Sequence, residues 1–414
     1  MKYELHAIKS VVGRGEIMTR LGDICEKIGS GATPHGGKEA YCLEGISFVR
    51  SQNIGDFSFS ANGLAHINNE QAKKLSNVEL KPNDILLNIT GDSVARTCIM
   101  DSEYLPARVN QHVAIIRGKK DIVLSSYLLY FLQWKKKYLL QLASAGATRN
   151  ALTKSMIEQL EIELPTIEQQ RKIAGVLDKI QEKIKLNQKI NDNLEPQAVA
   201  LFKSWFVDFS LFGGTVPENW EDTTLENITT LITRGIAPKY SNDSDQTVIN
   251  QKCIRNHTID LSLARSHTPK AINEKWLQFG DLLINSTGDG TLGRVAQVWF
   301  TPKSLTVDSH VTIVRPAREE LIFYIGLWGI LHEKEIESLH TGSTGQTELP
   351  RDRVKMLKLL LPDNISLSRF NSIIAPMAST IISNQEENQK LANLRDTLLP
   401  KLMSGEIDVS DIQL

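Results

Sequence analysis

Residues 82–96 read PNDILLNITGDSVAR, and residues 279–294 read FGDLLINSTGDGTLGR. The two stretches lie about 197 residues apart, and they are not an isolated coincidence. VNQHVAIIR (109–117) matches VDSHVTIVR (307–315), which sets His112 against His310. Upstream, LGDICEKIGSGATP (21–34) matches LENITTLITRGIAP (225–238), and FVRSQNI (48–54) matches VINQKCI (248–254). Downstream, AGATRNAL (145–152) matches TGSTGQTEL (341–349), and LNQKINDNL (186–194) matches SNQEENQKL (383–391). The order is the same in both halves and covers nearly the whole chain. Self-similarity at a fixed period decides the architecture before any single element does. A period this long is a duplicated domain with something attached, not a solenoid.

The attached segment is a helix. From Ile173 the seam runs Ile173, Leu177, Ile180, Ile184, Asn187, Asn191, Leu194, Ala198 and Leu201. Its second copy runs Phe370, Ile374, Met377, Ile381, Asn384, Asn388 and Leu391, with Leu398 closing. Steps of three and four with charges elsewhere are a heptad seam. Pro165 and Pro362 stand just ahead of each run, where proline is tolerated. Neither helix can bury its seam alone, so the two are expected to pack on each other. Asn187, Asn191, Asn384 and Asn388 then set the register of the pair, because a buried asparagine costs stability but selects one alignment. Pro196 is expected to kink or end the first helix.

The remainder of each half is mixed. DILLNIT, HVAIIR, DLLINST and HVTIVR are short β-type runs punctuated by Gly-Asp turns. The stretches 125–144 and 321–339 read as helical. The expected fold class is α/β mixed, with two duplicated globular domains separated by two long helices and related by pseudo-two-fold symmetry.

Composition narrows the function. The chain has 414 residues, 41% hydrophobic and 23% charged, with net charge −1. There is no run of eighteen apolar residues, and MKYELHAIKSVVGRGE lacks the apolar core of a signal peptide. Four scattered cysteines without a CxxC pair point to a reducing cytoplasm and against a structural zinc. GSGATPHGGKE (29–39) fails the phosphate-loop spacing and reads as a flexible surface loop. Asp92 and Asp289 read as turn residues, and His112 and His310 as packing or hydrogen-bonding residues of buried strands. No glycine-rich cofactor turn or NPPY-like tetrapeptide is present. The chain is therefore not expected to be an enzyme. Two similar readers on a rigid spacer suit a target with two separated half-sites, and duplex DNA is such a target.

The layout resembles the specificity subunit of a type I restriction–modification system. The resemblance rests on ELPTIEQQRKIAGVLDKI (163–180), LFKSWFVDF (201–209) and LRDTLLPKLMSGEI (394–407), besides the duplicated hairpin words, and spans roughly residues 16 to 414. It implies two target-recognition domains, at 1–164 and 213–362. The conserved helices at 165–212 and 363–414 would form an antiparallel coiled coil. It implies that each domain reads one half of a bipartite, asymmetric target in double-stranded DNA. It further implies that the helices dock two modification subunits, and that restriction subunits join them. No cofactor is expected in this chain. S-adenosylmethionine, ATP and Mg would sit on the partners, and no membrane is involved. The alternative is a coiled-coil scaffold whose domains bind proteins.

If both domains share a scaffold, address residues lie in the polar loops that differ. The candidates are Ser30, Thr33, His35, Lys38, Arg50, Gln52, Asn53, Arg149 and Asn150 in the first domain. In the second they are Arg234, Lys239, Tyr240, Asn250, Gln251, Lys252 and Gln346. Arginine, glutamine and asparagine suit base edges, while lysine and threonine suit phosphates. Residues 16–164 carry 17 basic and 16 acidic side chains, and residues 213–361 carry 16 and 18. Neither domain is basic, so weak DNA binding is expected without partners.

Overall fold

The computed structural model describes residues 11–12, 16–34, 36–144, 150–342 and 347–412. The chain divides into two compact units. One is Met1–Lys185 with Asn388–Leu414, and the other is Leu186–Glu387. Both boundaries fall inside the long helices. Each unit thus takes in half of each long helix, which packs into that domain's core.

In the first unit, strands Cys25–Ser30 (β1), Ile85–Asn88 (β2), Thr97–Ile99 (β3) and Val113–Gly118 (β4) form an antiparallel sheet in the order β1-β4-β2-β3. In the second, Thr229–Arg234 (β5), Leu282–Asn285 (β6), Val295–Gln297 (β7) and Val311–Pro316 (β8) form a sheet in the order β5-β8-β6-β7. The topologies are identical. The runs ILLN and LLIN are buried throughout, and apolar up to their final asparagine, because both faces of each sheet are covered. Successive side chains of a strand point to opposite faces. Ile85 and Leu87 join a core with the helices, whereas Leu86 joins one with the loops and small strands beyond. Leu282 and Ile284 separate from Leu283 in the same way.

One helical stretch follows each sheet, broken once. Ser125–Trp134 (α1) and Lys136–Ser144 (α2) meet at Lys135, and Ile322–Leu331 (α4) and Glu333–Ser338 (α5) meet at His332. The long helices are Ile167–Phe206 (α3) and Asn364–Met403 (α6), of 40 residues each. At the start of α3, Thr166 Oγ1 accepts the Gln169 N–H, and Gln169 Oε1 accepts the Thr166 N–H, a reciprocal capping box. The adjacent Gln170 is fully buried and bonds Leu124, Ile122 and Pro165 backbone groups. At the start of α6, Asp363 accepts the N–H groups of Ile365 and Ser366 and the Trp220 indole. Partial burial opposes its charge, but the Ser366 hydroxyl and these N–H groups prevail and hold its carboxyl down to about 2. Of the two outcomes expected at Pro196, the end of the helix does not occur, since α3 runs on through it. The proline is solvent-exposed, where the ring and the lost N–H are accommodated away from the seam.

The helix pair is antiparallel within each unit. In the first, Arg395 Nη1 donates to Gln181 Oε1 at 2.9 Å. Leu399 and Leu402 share a core with Ile173 and Leu177. In the second, Phe202 and Phe206 on α3 pack on Phe370 of α6. There Asn384 Nδ2 donates to Asn191 Oδ1 at 2.8 Å, and Asn191 Nδ2 to the Ile381 carbonyl at 3.3 Å. Asn187 is fully buried and bonds Glu387 at 2.7 Å. Asn388 is half-buried.

Two outcomes follow. Asn384→Ala should remove the partner of Asn191 Oδ1 and cost about 1–3 kcal/mol. In urea unfolding the double variant Asn191→Leu/Asn384→Leu should recover most of that loss. In the sheet, Arg315 grips fully buried Asp281 with two bonds of 2.8 and 2.7 Å. Arg315→Met should leave that carboxylate unpaired and lower stability by about 3–5 kcal/mol. Thermal melting should show the drop, and Asp281→Leu in the same chain should restore part of it.

Candidate nucleic-acid interface

The buried words of the repeat build one end of each sheet. The turn Lys81-Pro82-Asn83-Asp84 places Asn83 at φ +67°, and its counterpart places Gly280 at φ +89°. Each closes with an N–H to carbonyl bond, Asp84 to Lys81 and Asp281 to Gln278, both 3.2 Å. Positive φ at the third position is a type II turn, for which asparagine and glycine are suited. The turn delivers Asp84 into a two-bond pair with Arg117 at 2.6 and 2.7 Å, matching Asp281 and Arg315.

At the other end of the same strands, loops converge. Asn88, fully buried, donates to the Ser51 carbonyl at 3.0 Å, and Asn285 donates to Gln251's at 3.0 Å. The Ile89 N–H meets the His112 carbonyl at 3.0 Å, and Ser286 meets His310's at 2.8 Å. Leu152 donates to Ile89, and Leu349 to Ser286. Gly31 donates to Val113, and Gly235 to Val311. A Cβ on Gly31 would lie 2.0 Å from the Val109 carbonyl oxygen, and one on Gly235 1.9 Å from Val307's. The opening of GSGATPHGGKE is therefore not a free surface loop but a tightly packed continuation of the strand. Each domain thus gathers five loops, around residues 31, 51, 90, 111 and 151 in the first and 235, 251, 287, 309 and 348 in the second.

The proposed address residues divide on this frame. Ser30, Thr33, Gln52 and Asn150 are exposed in the first domain, and Lys239, Tyr240 and Lys252 in the second. Like positions carry unlike groups: Ser30 pairs with Ala114 where Arg234 pairs with Thr312, and Gln52 stands where Lys252 stands. Asn53 is a correction. It is fully buried, its Nδ2 donates to Ser60 and Asn62, and its Oδ1 accepts the Arg50 N–H, so it shapes the loop and cannot touch DNA. Asn250 likewise caps its loop, with Oδ1 accepting the Lys252 N–H and Nδ2 donating to Leu263. Gln251 is half-buried against Thr287. Arg50 donates to the Gly63 carbonyl at 2.8 Å. Arg234 donates to Leu349's and pairs with Glu348 at 2.7 Å, so both guanidinium groups are already engaged. Arg265 stacks 3.5 Å over the Tyr240 ring. His35, Arg149, Gln346 and the Lys38 side chain lie outside the described residues.

One pair of residues takes the hydrogen-bonding role expected of it, but at the surface. His112 and His310 precede their strands and are exposed, not buried. Each ring bonds the hydroxyl of the threonine across the cluster, Thr90 at 2.8 Å and Thr287 at 2.6 Å. The signal was present in the repeat, as identical letters in exposed turns. Among the described residues no helix is long and apolar enough to cross a membrane.

With this geometry in place, comparison with known proteins is direct. The profile of the type I restriction modification DNA specificity domain matches residues 17–196. The type I restriction enzyme MjaIX specificity subunit of Methanocaldococcus jannaschii is 26% identical over 423 aligned positions, covering 95% of this chain and 94% of that protein. The HindI specificity subunit of Haemophilus influenzae is 23% identical over 418 positions, covering 81% and 88%. The crystal structure of a type I restriction–modification S subunit from M. genitalium shares the fold, with a TM-score of 0.57 at 14% identity over 96% of this chain and 98% of that one. Residues 17–196 thus match the type I restriction modification DNA specificity domain, and along most of its length the chain is similar to type I restriction enzyme specificity subunits, which points to a DNA-recognition subunit.

Proposed function

We propose that each domain reads one half of a bipartite, asymmetric duplex target, and that the helix pair fixes the distance between the halves. The helices also dock two modification subunits. These bind S-adenosylmethionine and methylate adenine, and restriction subunits use ATP and Mg. This chain supplies the address and no chemistry, and it works in the cytoplasm.

One observation carries this reading. The same sheet is built twice, and at the same end of each sheet matching loop positions present different exposed polar groups, Gln52 in one and Lys252 in the other. Side chains on loops held by a fixed backbone suit base-edge readout. Change of address without change of fold is what two readers for two unlike half-sites require. The near-neutral charge of each domain fits a reader that relies on partners for phosphate contacts.

The test is methylome sequencing of cells that express the chain with its modification subunit. A second culture carries a variant whose residues 217–360 come from a related subunit. The expected result is an asymmetric bipartite adenine-methylation motif, of which only one half changes in the variant. A change in both halves, or no motif, would contradict separate readers.

A further inference from the structure

The residues shared by the two domains fall into two groups. Asp84 and Asp281, Asn88 and Asn285 are fully buried and hold the fold. His112 and His310 are exposed in the middle of the loop clusters, each beside a half-buried threonine, Thr90 and Thr287. Nothing in the core requires them. Each ring is nonetheless held through Nδ1, and the backbone N–H of the same residue is tied separately. Nδ1 is bonded to the threonine hydroxyl at 2.8 and 2.6 Å. The histidine N–H donates to Asn110 Oδ1 at 3.1 Å in one domain and to Asp308 Oδ1 at 2.9 Å in the other. When Nδ1 accepts the hydroxyl proton, the ring proton sits on Nε2, which becomes a directed donor. In the first domain the Gln111 amide nitrogen lies 3.5 Å from Nε2, too far for a firm bond, and as a donor it does not take up the Nε2 proton.

Two domains that read unlike half-sites face different base sequences, but they share the phosphate backbone, which carries no sequence. A surface donor repeated in both readers suits the shared part of the target, and side chains that differ suit the unshared part. We propose that Thr90–His112 and Thr287–His310 are matching phosphate-contact pairs that seat the duplex in the same way on each domain. The proposal rests on the half-site reading given above. The same turns carry exposed Asp92 and Asp289, and Asp308 lies behind His310. The contact is therefore directional, through one N–H, and not a general positive field. The histidine is the contacting group, and the threonine positions it.

The test uses the full chain assembled with its modification subunit. Affinity is measured for the cognate duplex and for one with both half-sites scrambled, in the wild type, His112→Ala, His310→Ala and Thr90→Val. Each histidine variant should bind both duplexes roughly tenfold more weakly, with unchanged melting and an unchanged methylated sequence. Thr90→Val should fall between wild type and His112→Ala. A neutral methylphosphonate at one backbone position of each half-site should weaken the wild type and leave the matching histidine variant unaffected. Wild-type affinity in both histidine variants would overturn the proposal. So would a methylation motif relaxed at one base, which would make the residue a base reader. A lowered melting point with no methylphosphonate coupling would also overturn it, as the mark of a purely structural tie. A wild-type complex that does not distinguish the two duplexes would count against the half-site reading, and the methylphosphonate series would still report the phosphate contact.

Discussion

The buried carboxylate–guanidinium pair in each domain anchors everything that follows. Asp84 and Asp281 are fully buried, and each accepts two bonds from an arginine on the neighbouring strand and one from the backbone of its own turn. Taking such charges from water is expensive, and only this degree of satisfaction offsets it. The pair fixes where β2 and β6 begin. Both strands are apolar and buried on both faces, so slippage by one residue would exchange their two cores. With register pinned at one end, the loops at the other end are presented in a fixed pattern. A polar pin therefore governs a largely apolar sheet, and the sheet governs where the loops at its far end stand.

The long helices solve a different problem with the same economy. An apolar seam alone leaves the alignment of two helices loosely specified. In the second unit, Asn191 and Asn384 bond each other, and Asn187 meets Glu387 instead of another asparagine. In the first unit, Gln181 and Arg395 make the polar contact, and Arg395 also lies 4.0 Å over the Phe57 ring of the domain. Tyr130 donates to Asp178 on α3 at 2.8 Å. Helix and domain are thus joined by directional bonds as well as by packing.

Much of this was legible in the sequence because it depends on periodicity and repetition. The duplication, the two helices and their start after Pro165 and Pro362 are all properties of pattern. Side-chain direction is not. Asn53 and Gln52 are neighbours in a polar loop, yet one is fully buried and the other exposed. Composition cannot separate them, since the difference lies in which backbone carbonyls the folded loop turns inward. Arg234 looked free and is instead held by Glu348, more than a hundred residues away in sequence. Pro196 was expected to kink or end the helix because propensity is local, whereas 40 residues of packed helix carry on past one missing bond. His112 and His310 looked buried because the strands they precede are.

The central claim is that two readers are held at one fixed separation on duplex DNA. It is tested most directly by equilibrium binding of the assembled protein to duplexes that carry both half-sites at varied spacing. Each added base pair moves one half-site by about 3.4 Å along the axis and about 35° around it. The account predicts one preferred spacing and a steep loss of affinity when a single base pair is added or removed. Equal affinity across a range of spacings would contradict it.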